Sequence, residues 1–301
     1  MDMNASATVR ERDLNELSSQ ELLRLERSIA ENFMGGLPWG SIAWAFANLA
    51  AWLALWPLTL SGVLPLWAAA PIATVTVILS YLPSHEAQHR IIAREGERLF
   101  WLNELVGHLS PVPLGLPYQA ARLTHYEHHS HTNDPDLDPD INTKSHSGWR
   151  MVIKDIGSQL QTVPKINIAY AKALERIGSD DARRAGAMLL AYALATNALL
   201  FGFAWAGYAL EVAAIVWLPR IVGGVYIRFF LSWAPHHPGA DLGRYRNTRG
   251  FRSRLGNILT MGMQYHIIHH LYPRMPLMRH PAAFRALRPI LVARGCRLDG
   301  I

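Results

Sequence analysis

The sequence predicts an all-α integral membrane protein, with four transmembrane helices beneath a cytosolic helical cap that holds a histidine-rich metal site. Three observations carry this. Residues 32–84 and 185–210 contain no Lys, Arg, Asp or Glu. Positive charge is concentrated in the segments before, between and after those blocks. Eight of the fourteen histidines fall into three tight groups within or bordering those charged segments.

Each uncharged block is long enough to matter, because crossing a hydrocarbon core of roughly 30 Å takes about 20 helical residues. The first divides into spans at about 39–60 and 63–82, with Ser61-Gly62 at the turn. The second divides into about 187–208 and 210–233, with Glu211 near the turn. The first block starts too late, and runs too long, for a cleaved leader. Neither short turn carries Lys or Arg, so the positive-inside rule places both termini and the middle segment in the cytoplasm, as in a bacterial-type inner membrane. Arg220 and Arg228 lie inside the fourth span. Charge there is expensive, so these two face helices, a cavity or the interface. Residues 1–38 form an N-terminal cytosolic or interfacial segment, and 39–301 form one membrane domain. In the N-terminal segment, Ser18-x-x-Glu21 is a capping box. Leu22, Leu25, Ile29 and Phe33 follow at helical spacing, which predicts an amphipathic helix over 13–33. Residues 97–120 are broken by Pro111, Pro113 and Pro117 and read as an interfacial hairpin. Residues 154–177 read as a cytosolic helix interrupted near Pro164. No alternation is long enough to predict a sheet.

The histidine groups are His85-Glu86-Ala87-Gln88-His89, His125-Tyr126-Glu127-His128-His129 and His266-Ile267-Ile268-His269-His270, with His236 after the fourth span as a ninth member. Side chains at i, i+3 and i+4 share one helix face, so each group aims two or three imidazoles at one point. With four spans, all groups lie on the same side of the membrane. Eight or nine neutral imidazoles suffice for two first-row metal ions. Imidazole suits iron, zinc, copper and nickel alike; the ligand number and the lipid setting favour iron. The lone Cys296 rules out an in-chain disulfide and a cysteine-ligated cluster.

A rival sits in the first group. His85-Glu86-x-x-His89 is the H-E-x-x-H pattern of zinc metalloproteases, in which Glu86 would be the general base. Leu298-Asp299-Gly300 is the companion tripeptide of membrane zinc proteases, but it lies outside any span, and this reading leaves six clustered histidines idle. The acidic run from Asp134 to Asp140 lacks the glycine and the final glutamate of a calcium loop. It reads as a turn whose carboxylates (Asp134, Asp138 and Asp140) can fix a ligand tautomer by a hydrogen bond to its far nitrogen. No flavin, nicotinamide or iron–sulfur motif is present, so electrons come from a separate carrier. Arg244, Arg246, Arg249, Arg252 and Arg254 form a candidate docking patch for an acidic carrier such as a ferredoxin, or else a topological signal.

The groups resemble the histidine boxes of the membrane fatty acid desaturase/hydroxylase superfamily, H-x(3)-H, H-x(2)-H-H and H-x(2)-H-H. Within it, Thr132-Asn133-Asp134-Pro135, Asp138-Pro139-Asp140, Pro235-His236, Ser253-Arg254-Leu255 and Met261 to Pro273 are similar to the cyanobacterial-type β-carotene hydroxylases. The resemblance implies that His85, His89, His125, His128, His129, His266, His269 and His270 ligate two irons, with His236 as the additional histidine. It implies oxidation of a lipid hydrocarbon by O2, by hydroxylation or desaturation, with a β-carotene-type substrate first and a fatty-acyl lipid as the alternative. Two departures stand out. Glu86 replaces the usual Asp, and Ser232 replaces the usual Asn or acid four residues before His236.

Overall fold

The computed structural model describes Leu14 and residues 16–301, apart from Thr162. Helix α1 (Ser19–Glu31) begins at the expected capping box. The Ser18 side chain accepts the Glu21 amide, and Glu21 returns a contact to the Ser18 amide. Residues 13 and 15 of the expected amphipathic segment lie outside the described residues. The α1 apolar face packs against Ile267, Ile268 and Leu271, which border the third histidine group.

Three helical runs are long and apolar enough to cross a membrane: α2 (Trp39–Leu60), α3 (Leu66–Gln88) and a run from Asp180 to His236. The last is 57 residues long, where two spans were expected. Its backbone leaves helical geometry at Gly207, with φ of 100°, a value open to glycine because it lacks a Cβ. Before this break lies α8 (Asp180–Phe203). After it come α9 (Ala209–Val212), α10 (Leu218–Ile227) and α11 (Ala234–His236), joined by wide π-helical turns at Ala213–Trp217 and Arg228–Trp233. Leu200 before the break packs in one apolar cluster with Ile215 and Val216 after it. The run is therefore kinked at Gly207.

Between α3 and this run come α4 (Phe100–Leu109), α5 (Tyr118–His131), α6 (Gly148–Gln159) and α7 (Lys165–Ile177). The expected helix over 154–177 is thus two helices, separated around Pro164. The expected hairpin over 97–120 is α4 plus the proline-rich turn that leads into α5. Arg220 secures that turn by donating to the carbonyls of Pro113 and Val112. Arg228 does not reach for solvent: its guanidinium grips the Asp155 carboxylate of α6 at 2.8 Å. The tail holds α12 (Gly256–Leu259), α13 (His266–Leu271) and α14 (His280–Ala293). It also holds a sheet too short to show in the sequence, in which β1 (Arg249–Phe251) pairs in parallel with β2 (Arg297–Asp299).

Candidate metal centre

Four helix ends converge. His85 and His89 end α3, the second group forms the last turns of α5, the third group occupies α13, and His236 ends α11. Their ring nitrogens make two sets that could each hold a metal ion: His85, His89, His125 and His269, and separately His128, His236, His266 and His270. His129 lies between them. Its Nε2 is 3.1 Å from that of His125 and 2.8 Å from that of His269, while its ring stacks on His270 with centroids 4.2 Å apart. All nine histidines singled out in the sequence are therefore brought together.

The donor chemistry of the second set fits a cation. His128 Nδ1 donates to Asp138 Oδ1 at 2.9 Å, and His236 Nδ1 donates to the Asn247 carbonyl at 3.0 Å. These bonds hold the Nδ1 proton of each ring, so when the rings are neutral Nε2 is the free ligand atom, and the two Nε2 atoms lie 3.3 Å apart. In the first set, His125 and His89 approach to 2.8 Å. Such separations suit neighbouring ligands of one ion, since metal–imidazole bonds of about 2.0–2.1 Å at right angles put nitrogens about 3 Å apart.

Charge agrees. Burial, reinforced by the neighbouring imidazoles, holds His89, His125, His129, His266, His269 and His270 well below the usual histidine pKa. These rings are neutral at pH 7, the state in which imidazole binds metal. His128 departs from this: burial pulls it down, but the field and hydrogen bond of Asp138 prevail and raise it to about 9.

The residues expected behind the ligands separate into distinct roles. Asp138 touches His128 and also accepts the amides of Asn133 and Asp140. Asp134 does not reach a histidine; its Oδ1 accepts the amides of Asp136 and Leu137 and shapes the turn. Asp140, Ser232 and Thr143 line a small open cavity of about 20 Å³ beside His128 and His236, and the Ser232 and Thr143 hydroxyls pair at 2.9 Å. Glu86 is turned out of both sets, and its Oε1 accepts the Leu277 amide at 2.6 Å. A metalloprotease needs that carboxylate beside the metal, so the protease reading loses its base. Of the other histidines, His131 faces Glu127 at 3.9 Å, and His280 is buried with Nε2 on the Met275 carbonyl.

Sequence reasoning missed Glu26. Fully buried on α1, it accepts from Tyr272 at 2.7 Å and Tyr245 at 2.9 Å, with Arg244 and Arg294 each at 3.7 Å. Arg244 also donates to the Leu271 carbonyl at the end of α13. Arg244 is thus tied to the fold while its side chain stays 45% exposed. The only signal available was an acidic residue on the apolar side of an amphipathic helix.

Comparison with known proteins agrees with this geometry. The family model for fatty acid desaturases matches residues 61–300. A β-carotene ketolase from Paracoccus sp. is 27% identical over 259 residues, covering 78% of this chain and 88% of that protein. A zeaxanthin 4-ketolase from Chlamydomonas reinhardtii is 26% identical over 280 residues, covering 85% of this chain and 56% of that protein. An sn-1 oleoyl-lipid 12-desaturase from Anabaena variabilis is 37% identical, but over only 76 residues, 24% of this chain and 21% of that protein. The chain spans about a fifth of the length of the oleoyl-lipid desaturases it matches. Two convergent histidine sets at the ends of membrane-capable helices, together with a family match across most of the sequence, show that the chain belongs to the fatty acid desaturase family and is an oxidoreductase.

Proposed function

We propose that this enzyme uses two irons and O2 to oxidise a ring carbon of a carotenoid-type lipid, hydroxylation being the first reaction. The observation that carries the metal part is the gathering of eight histidine side chains into two sets of four, each able to hold one ion. The substrate part is supported by the carotenoid ketolases, which match this chain over most of its length, whereas the higher-identity acyl-lipid desaturases match only locally. Fatty-acyl oxidation is the second reading, supported by those local matches and by an sn-1 acyl-lipid omega-3 desaturase from Nostoc sp. that is 22% identical over 70% of this chain.

His85, His89, His125, His129 and His269 would hold one iron, and His128, His236, His266 and His270 the other. When bound, the metal pair supplies O2 activation strong enough to attack an unactivated C–H bond. The protein supplies the remaining requirements. Burial keeps His89, His125, His129, His266, His269 and His270 neutral. Asp138 fixes the His128 tautomer so that Nε2 faces the metal side. The Asn247 carbonyl does the same for His236. Ser232 and Thr143 put hydroxyls at the wall of the cavity beside the second set, where a proton can be passed. Electrons come from an external carrier such as a ferredoxin, the donor printed in the name of one relative, an sn-1 acyl-lipid omega-3 desaturase (ferredoxin).

We further read the run from Asp180 to His236 as two spans meeting at Gly207, which gives four spans with both termini and the histidines on the cytoplasmic side. The test is expression in two bacterial hosts, one making β-carotene and one not, followed by mass spectrometry of pigments and acyl chains. New oxygenated carotenoids only in the first host are expected. Unchanged pigments with new acyl double bonds would replace the first reading by the second.

A further inference from the structure

Helix α6 presents an apolar stripe that nothing among the described residues covers. Trp149 is 78% exposed, Ile153 68% and Leu160 61%, with Ile156 exposed between them. The intervals of four, three and four residues place all four on one face. The opposite face carries Met151 and Ser158, both buried, and Asp155, locked to Arg228. The stripe therefore points directly away from the protein body. Exposed apolar side chains in register along three helical turns signal an interaction surface.

Its surroundings indicate what covers it. Gly148, at the start of α6, sits against Phe229 and Trp233, the last aromatic residues of the membrane-capable run before His236. Trp233 Nε1 donates to the Ser145 carbonyl just before α6. Arg228, in that same run, grips α6 through Asp155. The helix is thus fastened, at both its start and its middle, to the end of a membrane-capable helix, which is the depth of the headgroup boundary. Cationic Arg150 flanks the stripe and Lys165 opens the next helix, while the Lys154 ammonium donates to the Asn142 carbonyl at 2.7 Å. An apolar face bordered by basic residues and containing a tryptophan matches the chemistry of an interfacial helix on an anionic leaflet.

We propose that α6 lies in the leaflet on the histidine side of the membrane, with Trp149, Ile153, Ile156 and Leu160 seated among acyl chains and Arg150 at the headgroups. The partner is the lipid surface itself. The inference needs only that the chain is embedded in a membrane; it does not depend on the metal or the substrate. It has a consequence for the centre. The segment from Ile141 to Ser145 that leads into α6 lines the cavity beside His128 and His236, so the depth of α6 sets the level at which that cavity meets the bilayer.

The test uses the full-length protein with Cys296→Ala and single cysteines introduced at Ile153 or Leu160. Leu199→Cys on the exposed side of α8 is the lipid reference, and Arg285→Cys on α14 is the aqueous reference. Each is nitroxide-labelled and reconstituted in phosphatidylglycerol-containing vesicles, and collision rates with O2 and a water-soluble nickel chelate are compared. Labels at Ile153 and Leu160 should show an O2-to-nickel ratio several-fold above that of Arg285→Cys and close to that of Leu199→Cys. A ratio equal to the aqueous reference would overturn the proposal. So would exclusion from both reagents with dipolar broadening, which would mean that a second copy of the chain covers the stripe.

Discussion

Asp138→Asn changes one charge behind one histidine and leaves the volume intact. Asp138 and His128 are both almost fully buried, their side chains 3% and 4% exposed, and 2.9 Å apart. The carboxylate serves three donors: His128 Nδ1 and the Asp140 amide on Oδ1, and the Asn133 amide on Oδ2. Asparagine has one oxygen, so one orientation keeps His128 but sets its NH2 against the Asn133 amide. Partners of this kind behind a metal-binding histidine are worth 10–100-fold in metal affinity, or about 1.4–2.7 kcal/mol. The loss should fall on the set containing His128. Titrating the iron-loaded protein with a chelator should therefore become biphasic, with about half the metal leaving at roughly 10–100-fold lower chelator activity. Retention identical to the parent would refute the role assigned to Asp138. Parallel loss of all metal, with a large fall in thermal stability, would mean that the turn and not the ligand had been damaged.

Other outcomes follow from the same structure. His128→Ala and His269→Ala should each lose metal and activity together, read by elemental analysis and turnover. Glu86→Gln should retain O2-dependent turnover, because Glu86 contacts the Leu277 amide and not the metal sets; peptide hydrolysis dependent on Glu86 and independent of O2 would contradict this. Acid should destabilise the metal-free protein. Six buried rings have folded-state pKa values well below the unfolded value of about 6.5, so the unfolded state binds more protons and stability falls as pH drops through about 6.5. The His128–Asp138 pair has the opposite sign. His128 is raised to about 9, so its contribution is complete below about 6.5 and is lost as pH rises through 9. Six rings against one make acid unfolding the dominant feature, measurable as thermal midpoint against pH. Glu26→Ala should cost about 3 kcal/mol or more by stranding a buried cluster of arginine and tyrosine groups, seen as a lower midpoint that Glu26→Gln partly restores. Replacing exposed Arg246 and Arg252 by Ser should slow ferredoxin-driven turnover at low salt and converge with the parent at high salt, since screening lengths are about 8 Å at physiological ionic strength.

The clustering of the histidines was legible in the sequence because helical spacing is short-range: His125, His128 and His129 share a face wherever α5 lies. The membrane-capable helices were legible because uncharged length is a composition property. The break at Gly207 lies near the expected turn, and the sequence alone does not distinguish a hairpin from a kinked helix. What stayed hidden depends on contacts distant in sequence. Four acids, Glu86, Asp134, Asp138 and Asp140, were candidates for a place behind the ligands, and only closure of the 133–140 turn selects Asp138 over Asp134. Glu86 pointed toward a protease until Leu277, far along the chain, claimed its carboxylate. Glu26 meets Tyr245 and Tyr272 across more than 200 residues, and three-residue strands are too short for alternation to register.

The most direct test of the central claim is metal analysis of the purified protein after anaerobic loading, iron and zinc being counted together with Mössbauer spectroscopy of an iron-57 sample. The account predicts about two irons per chain, in environments dominated by nitrogen ligands, with His128→Ala perturbing one environment more than the other. Active protein holding a single zinc and no iron would contradict it.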